Sequence, residues 1–255
     1  MLSVTCYGGV NEIGGNKILL EDGDSRLFFD FGTSFGRRYE FFEEYLKPRA
    51  GRGLLDMLYM GLVPPLEGIY RRDLEPREGF WERWRDRSTY RHLSVDAVLL
   101  SHAHLDHSGY ISFLDPEIPI CCSALTAFVS KAIQDTGQAD FEAEVCYTNE
   151  RAPADGLLRS ARERRQRPFV FLDGIPDDEA ASGFWNSLSP RTREPWLAPT
   201  AEPPAPVGGL PVRQFPVDHS IFGASAFAVE TSGGWVTYTG DLRLHGRRQE
   251  DTRRW

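Results

Sequence analysis

Residues 95–109 read VDAVLLSHAHLDHSG. Within this stretch Ala97-Val98-Leu99-Leu100 is a short, unbroken apolar run, the pattern of a strand buried on both faces. The second half packs three of the chain's six histidines, with an aspartate, into positions 102–107. A fully buried strand therefore ends on a dense polar cluster, where a loop turns into a helix. Any fold for this chain must deliver these side chains from the end of a core strand.

On an extended segment His102 and His104, two residues apart, project to the same side. Asp106 and His107 sit at the following turn and aim at a second point nearby. Two imidazoles for one cation and a carboxylate plus an imidazole for another is an allocation suited to zinc. The competing reading, surface histidines with an incidental aspartate, does not explain why the cluster directly follows a buried strand. Further ligands are expected at other strand ends, where side chains are held rigidly within reach of solvent. His219 ends VRQFPVD, and Asp241 ends WVTYTG, where Thr239-Gly240-Asp241 makes a tight turn. A carboxylate at Asp241 has two oxygens with which to bridge both cations, fixing their separation at roughly 3.5 to 4 Å.

Elsewhere residues 3–33 read as β-structure, with a hairpin around Glu21-Asp22-Gly23-Asp24 in KILLEDGDSRLFFDFG. Gly8, Gly9, Gly14 and Gly15 flank Asn11-Glu12-Ile13, a loop whose backbone passes close to something or merely joins two strands. Residues 34–92 carry helical apolar spacing followed by alternating charge, as expected of an inserted helical arm or lid with a solvated face. Phe80, Trp81 and Trp84 offer faces for nucleobase stacking, against the plainer reading that they pin the arm to the body. SALTAFVSKAIQDTG predicts a helix with Leu125, Phe128, Val129, Ala132 and Ile133 on one face and Gly137 at its stop. Residues 152–212 are rich in proline, contain the basic run RSARERRQR, and read as an extended, partly irregular insertion. SAFAVETSGGWVTYTGD predicts two strands around a Ser232-Gly233-Gly234 turn.

Composition excludes little. The net charge of −8 advertises no nucleic-acid partner, yet only three of the 29 basic residues are lysine, and arginine is the better residue for forked phosphate contacts. The four cysteines show no C-x-x-C spacing, and Cys121-Cys122 read as small core residues. Without a basic, apolar leader or a run of roughly 18 to 20 apolar residues, a cytoplasmic protein outside the membrane is the expectation.

The stretches GGVNEIGGNKILLE, FFDFG, SHAHLDHSG, VDHSIFGAS and YTGDLRLHG together resemble the metallo-β-lactamase fold, whose H-x-H-x-D-H hallmark is His102, His104, Asp106 and His107. Within it the chain is most similar to the β-CASP ribonucleases of the ribonuclease J kind. The resemblance implies an α/β fold, the αββα sandwich, with 1–255 as its front part and 34–92 and 152–212 as insertions. It implies that His102, His104 and His219 hold one zinc, that Asp106 and His107 hold a second, and that Asp241 bridges. Asp106 and Asp241 are thereby the catalytic carboxylates, and Asp30 orients a ligand from behind. The reaction implied is hydrolysis of an RNA phosphodiester by a hydroxide shared between two Zn2+ ions, with Mn2+ as the other occupant and single-stranded DNA as the other nucleic acid. One departure stands out: the family's last metal-ligating histidine has no counterpart here, since His245 lies only four residues past Asp241. The resemblance thus places that ligand beyond Trp255, and an isolated front part is expected to bind its second metal poorly. Two rivals remain: a small-molecule hydrolase of the glyoxalase II or lactonase type, and a catalytically silent scaffold subunit.

Overall fold

The computed structural model describes residues 1–43, 46–137, 141–155, 157–187 and 206–255. The chain opens with β1 (Leu2–Gly8), β2 (Lys17–Asp22) and β3 (Ser25–Phe29), the antiparallel meander expected around the Gly23 turn. Helices α1 (Phe35–Tyr39) and α2 (Leu54–Tyr59) and the short parallel pair β4 (Leu66–Glu67) and β5 (Arg91–His92) follow. Then come β6 (Ala97–Leu99), α3 (Leu105–Ser108), β7 (Ile120–Cys122) and α4 (Ala124–Thr136). A hairpin of β8 (Tyr147–Ala154) and β9 (Leu157–Gln166) leads to β10 (Phe169–Phe171) and α5 (Glu179–Asn186). The chain finishes with the meander β11 (Val212–Pro216), β12 (Ser225–Thr231) and β13 (Gly234–Tyr238), then α6 (Gln249–Arg254).

The main sheet runs β1-β2-β3-β6-β7-β10, parallel from β3 onward, and a second sheet runs β11-β12-β13. Period-two alternation divides the main sheet between two cores. Phe28, Val98, Leu100, Ile120 and Cys122 face the outer core with Ala124 and Ala127 of α4. Leu20, Leu27, Phe29, Ala97, Leu99 and Cys121 face the second sheet and meet Phe227 and Val229. α6 lies against β11. The layers are helix, sheet, sheet, helix, the αββα arrangement, and both faces of β6 are covered, which is why its sequence is continuously apolar.

Several segments differ from their sequence reading. Among the described residues between 34 and 92 only α1 and α2 are α-helical, and the segment is no solvated arm. Phe42, Leu54, Met57, Leu58, Phe80, Trp81 and Trp84 all sit in the outer core, so the tryptophans present no free face to a base. On α4 the buried positions are Ala124, Thr126, Ala127, Ser130, Lys131 and Gln134, whereas Leu125 and Ile133 are exposed. Hydrogen bonds decide this choice of face. Thr126 Oγ1 donates to the Gly223 carbonyl at 2.9 Å, and Gln134 Nε2 donates to the Tyr147 carbonyl at 2.7 Å, so buried polar atoms are satisfied. Residues 159–166 of the basic run belong to β9 rather than being irregular, and the last residue of the run, Arg167, just past the strand, is buried with its guanidinium bonded to the carbonyls of Ile111, Leu114, Asp115, Ile118 and Val145. Residues 188–205, the proline-rich remainder of that stretch, lie outside the described residues.

Candidate metal centre

The parallel register of β3 on β6 pairs Phe29 with Leu99, so the residues that leave these strands emerge side by side. Asp30 leaves β3 and accepts from the Ser101 backbone N–H (2.7 Å), the Ser101 hydroxyl (2.7 Å), His107 Nδ1 (2.6 Å) and the Tyr238 hydroxyl (2.6 Å). Ser101 Oγ, its hydrogen directed at Asp30, offers a lone pair to the His102 Nδ1–H at 3.0 Å. One fully buried carboxylate therefore fixes the Nδ1 proton of two imidazoles, His107 directly and His102 through Ser101, and leaves both Nε2 atoms turned to the cluster, that of His107 able to accept once its second proton is gone.

The cluster loop is clamped by backbone. Phe31 N–H donates to the His107 carbonyl (2.9 Å), Thr33 N–H to Leu105 (2.9 Å) and Gly15 N–H to Asp106 (2.8 Å). This is what the glycine loop passes close to. A Cβ on Gly14 would lie 2.3 Å from Asp106 Cβ, and one on Gly32 would lie 1.7 Å from the Asp106 carbonyl oxygen. His104 caps α3, whose single turn swings Asp106 and His107 back toward the strand end.

Two groups of side chains result. His102, His104 and His219 converge, with His102 Nε2 and His219 Nε2 at 3.0 and 3.2 Å from His104 Nδ1. His102, His107 and Asp241 form the second group. Asp241 stands between them, Oδ1 at 3.4 Å from His107 Nε2 and Oδ2 at 3.7 Å from His219 Nε2. Asp106 Oδ2 lies 3.8 Å from His107 Nε2 but joins neither group. His219 comes from the loop after β11 rather than from the strand itself. His245 joins neither group; it lines a neighbouring cavity with His219.

The donor set suits cations. Zn–N bonds of roughly 2.0 to 2.1 Å in tetrahedral geometry put ligand nitrogens about 3.3 Å apart, close to the separations between the His104 nitrogen and its two partners. His107 Nε2 is buried without a well-formed hydrogen bond, although two carboxylates face it. A buried nitrogen left in that state costs about 1–3 kcal/mol, which a cation among those oxygens would remove.

Electrostatics separates the groups. Burial, then the neighbouring His107 charge, pushes His102 down to about 3, and burial also lowers His219. At His107 burial acts downward, but the carboxylates of Asp30 and Asp241 prevail and hold it at about 10. The contact with His107 keeps Asp241 at about 2. A cation taken up beside His107 must therefore displace its proton. Between pH 7 and 9 close to one proton should leave per ion bound there, and affinity should rise about tenfold per pH unit. Calorimetry in buffers of differing ionisation heat measures this; binding heats that do not vary with buffer would refute it.

Sequence reasoning missed Ser101, Tyr238 and Asn16, whose Nδ2 donates to the Tyr238 hydroxyl at 2.7 Å. The available signal was the inward position of Tyr238 on an alternating strand that ends at the Thr-Gly-Asp turn.

No protein-family model matches the chain. It is similar to ribonuclease J of Mycolicibacterium smegmatis, 24% identical over 246 residues that cover 95% of this chain and 28% of that protein. Ribonuclease J of Corynebacterium glutamicum is 22% identical, over 95% of this chain and 22% of that protein. The chain thus spans about a quarter of the length of these curated relatives. Among solved structures, a protein of unknown function from Enterococcus faecalis V583 superposes with a TM-score of 0.56 at 28% identity, over 99% of this chain and 46% of that one.

Proposed function

We infer that the chain is a ribonuclease J-like member of the metallo-β-lactamase fold, and that it is a metal-dependent phosphodiester hydrolase that processes RNA. The observation that carries this reading is the pair of ligand groups around Asp241, with its two oxygens turned to His107 and His219. His102, His104 and His219 would hold one divalent ion and Asp106 and His107 the other, with Asp241 shared. Bound there, zinc or manganese supplies acidity to a shared water and neutralises charge on phosphoryl oxygens.

The chain's own residues do the positioning. Asp30 and Ser101 fix the imidazoles, Gly14 and Gly32 let the backbone close over Asp106, and Asp241 stays half-exposed so that a substrate phosphate can approach. No side-chain nucleophile is called for. Burial pushes the Cys121 thiol up to about 12 and raises Cys122 and Cys146 as well, so none of the three supplies a thiolate.

The expected result is that the protein, loaded with Zn2+ or Mn2+, shortens 5′-monophosphorylated RNA and that a chelator stops it. Asp106→Ala should lose roughly a hundredfold or more of that activity. Metal-dependent trimming that persists unchanged in the Asp106→Ala protein would contradict the assignment.

A further inference from the structure

A cavity of about 420 Å³ opens beside His219, between the loop that carries it and the loop that follows Asp241. Its walls are tied together by Asp218, only 2% exposed. Asp218 Oδ1 accepts from Arg243 Nε (3.2 Å) and lies 3.1 Å from Arg243 Nη2, while Oδ2 accepts from the Arg248 backbone N–H (3.2 Å). Its own N–H is bonded to Thr252 Oγ1 at 2.7 Å and its carbonyl to the Arg243 N–H at 2.8 Å. A Cβ on Gly246 would fall 1.9 Å from Asp218 Oδ2, so the second loop must pass with bare backbone. The cavity is a built feature of the fold.

Its lining combines one aromatic with surplus positive charge. Phe222 is 70% exposed on the rim and makes no ring contact among the described residues. Arg243 is neutralised by Asp218, and Arg248 pairs with Asp251 at 3.0 Å. Arg247 is exposed and has no ion-pair partner among the described residues. An uncommitted guanidinium beside an exposed ring is the pairing that holds one nucleotide of a single strand, phosphate on the cation and base on the π-face. The volume lies within the range of pockets that take a small organic ligand.

Resting on the phosphodiesterase reading, we propose that this cavity is a nucleotide subsite for single-stranded RNA, in which Arg247 takes a phosphate and Phe222 stacks the base next to the bond cut at the metal centre.

The test is fluorescence anisotropy of a labelled single-stranded RNA pentamer on the full 255-residue chain, kept metal-free so that nothing is cleaved. Arg247→Ala and Phe222→Ala, both at exposed positions, are each expected to weaken binding about tenfold. Arg247→Ala should also lower the salt slope by about 0.7, and Phe222→Ala should leave it alone. Arg159→Ala, in the basic run of β9, serves as the control and should bind as the wild type does. The proposal falls if the wild type does not bind the pentamer, if neither cavity variant weakens binding, or if Arg159→Ala alone does. Hydrolysis of bis(p-nitrophenyl) phosphate by the Zn2+-loaded wild type tests the phosphodiesterase reading separately, because that diester carries no nucleotide.

Discussion

At saturating zinc, where the weaker second site is also filled, an Asp241→Ala protein is expected to hold one divalent ion where the wild type holds two, and to lose roughly a hundred- to a thousandfold in phosphodiester turnover. The reason is geometric. Among the described residues Asp241 is the one side chain whose separate oxygens approach both ligand groups, at 3.4 Å from His107 and 3.7 Å from His219. Its place is set by Gly240, whose φ of +54° turns the chain and whose missing side chain makes room for Ser101, since a Cβ there would come within 2.6 Å of Ser101 Cβ. Asp241→Asn keeps one acceptor oxygen but removes the charge, so it should fall between the two in metal content. Zinc titration to saturation, read as ions bound per chain, alongside turnover of bis(p-nitrophenyl) phosphate, gives both numbers. Two retained ions with near-normal turnover in the alanine protein would mean that Asp241 bridges nothing.

How far such a site can be read from sequence depends on whether its parts are local. The 102–107 cluster announces itself because its side chains are adjacent and follow an apolar strand. The β2–β3 hairpin and the β12–β13 hairpin are legible for the same reason, being alternation interrupted by turn residues. His219 and Asp241 are legible only as strand-end residues, and their meeting with the cluster is a property of the sandwich. The Asp30–Ser101–Tyr238 contacts are not visible at all. They depend on β3 and β6 being parallel neighbours and on Tyr238 crossing between sheets to stack on Phe29 at 5.0 Å. Residues 34–92 mislead for a physical reason. Alternating charge there surrounds aromatics that pack inward, and arginines such as Arg49, bidentate on Asp56, satisfy their charge locally. The face of α4 misleads because hydrogen bonds to the 217–224 loop and to β8, absent from any periodicity, outweigh its apolar stripe.

Asp30→Ala should be the most damaging single change to stability in the centre. It leaves the Ser101 N–H, the Ser101 hydroxyl, His107 Nδ1 and the Tyr238 hydroxyl without their shared acceptor, in a place with no access to water. Stranding part of a buried charged network costs about 3–5 kcal/mol, more than any one hydrogen bond contributes. For a chain of this size that corresponds to a fall of roughly 10 °C in the unfolding midpoint. Tyr238→Phe removes one of the four donors and keeps the ring on Phe29, so its cost should be near 1 kcal/mol. The contrast separates loss of the acceptor from loss of packing. The pH dependence supplies a second readout. In metal-free protein His107 is raised above its ordinary value to about 10, so its stabilising contribution is complete below about pH 6.5 and is lost as pH rises through 10. Asp30→Ala should flatten that decline, because the carboxylate is the larger of the two charges holding the proton on His107. Thermal unfolding of the metal-free wild type, Asp30→Ala and Tyr238→Phe proteins between pH 6.5 and 10 decides the matter. If the alanine protein unfolds within a degree or two of the wild type and keeps the same pH slope, Asp30 is a bystander, and the orientation of both imidazoles needs another cause.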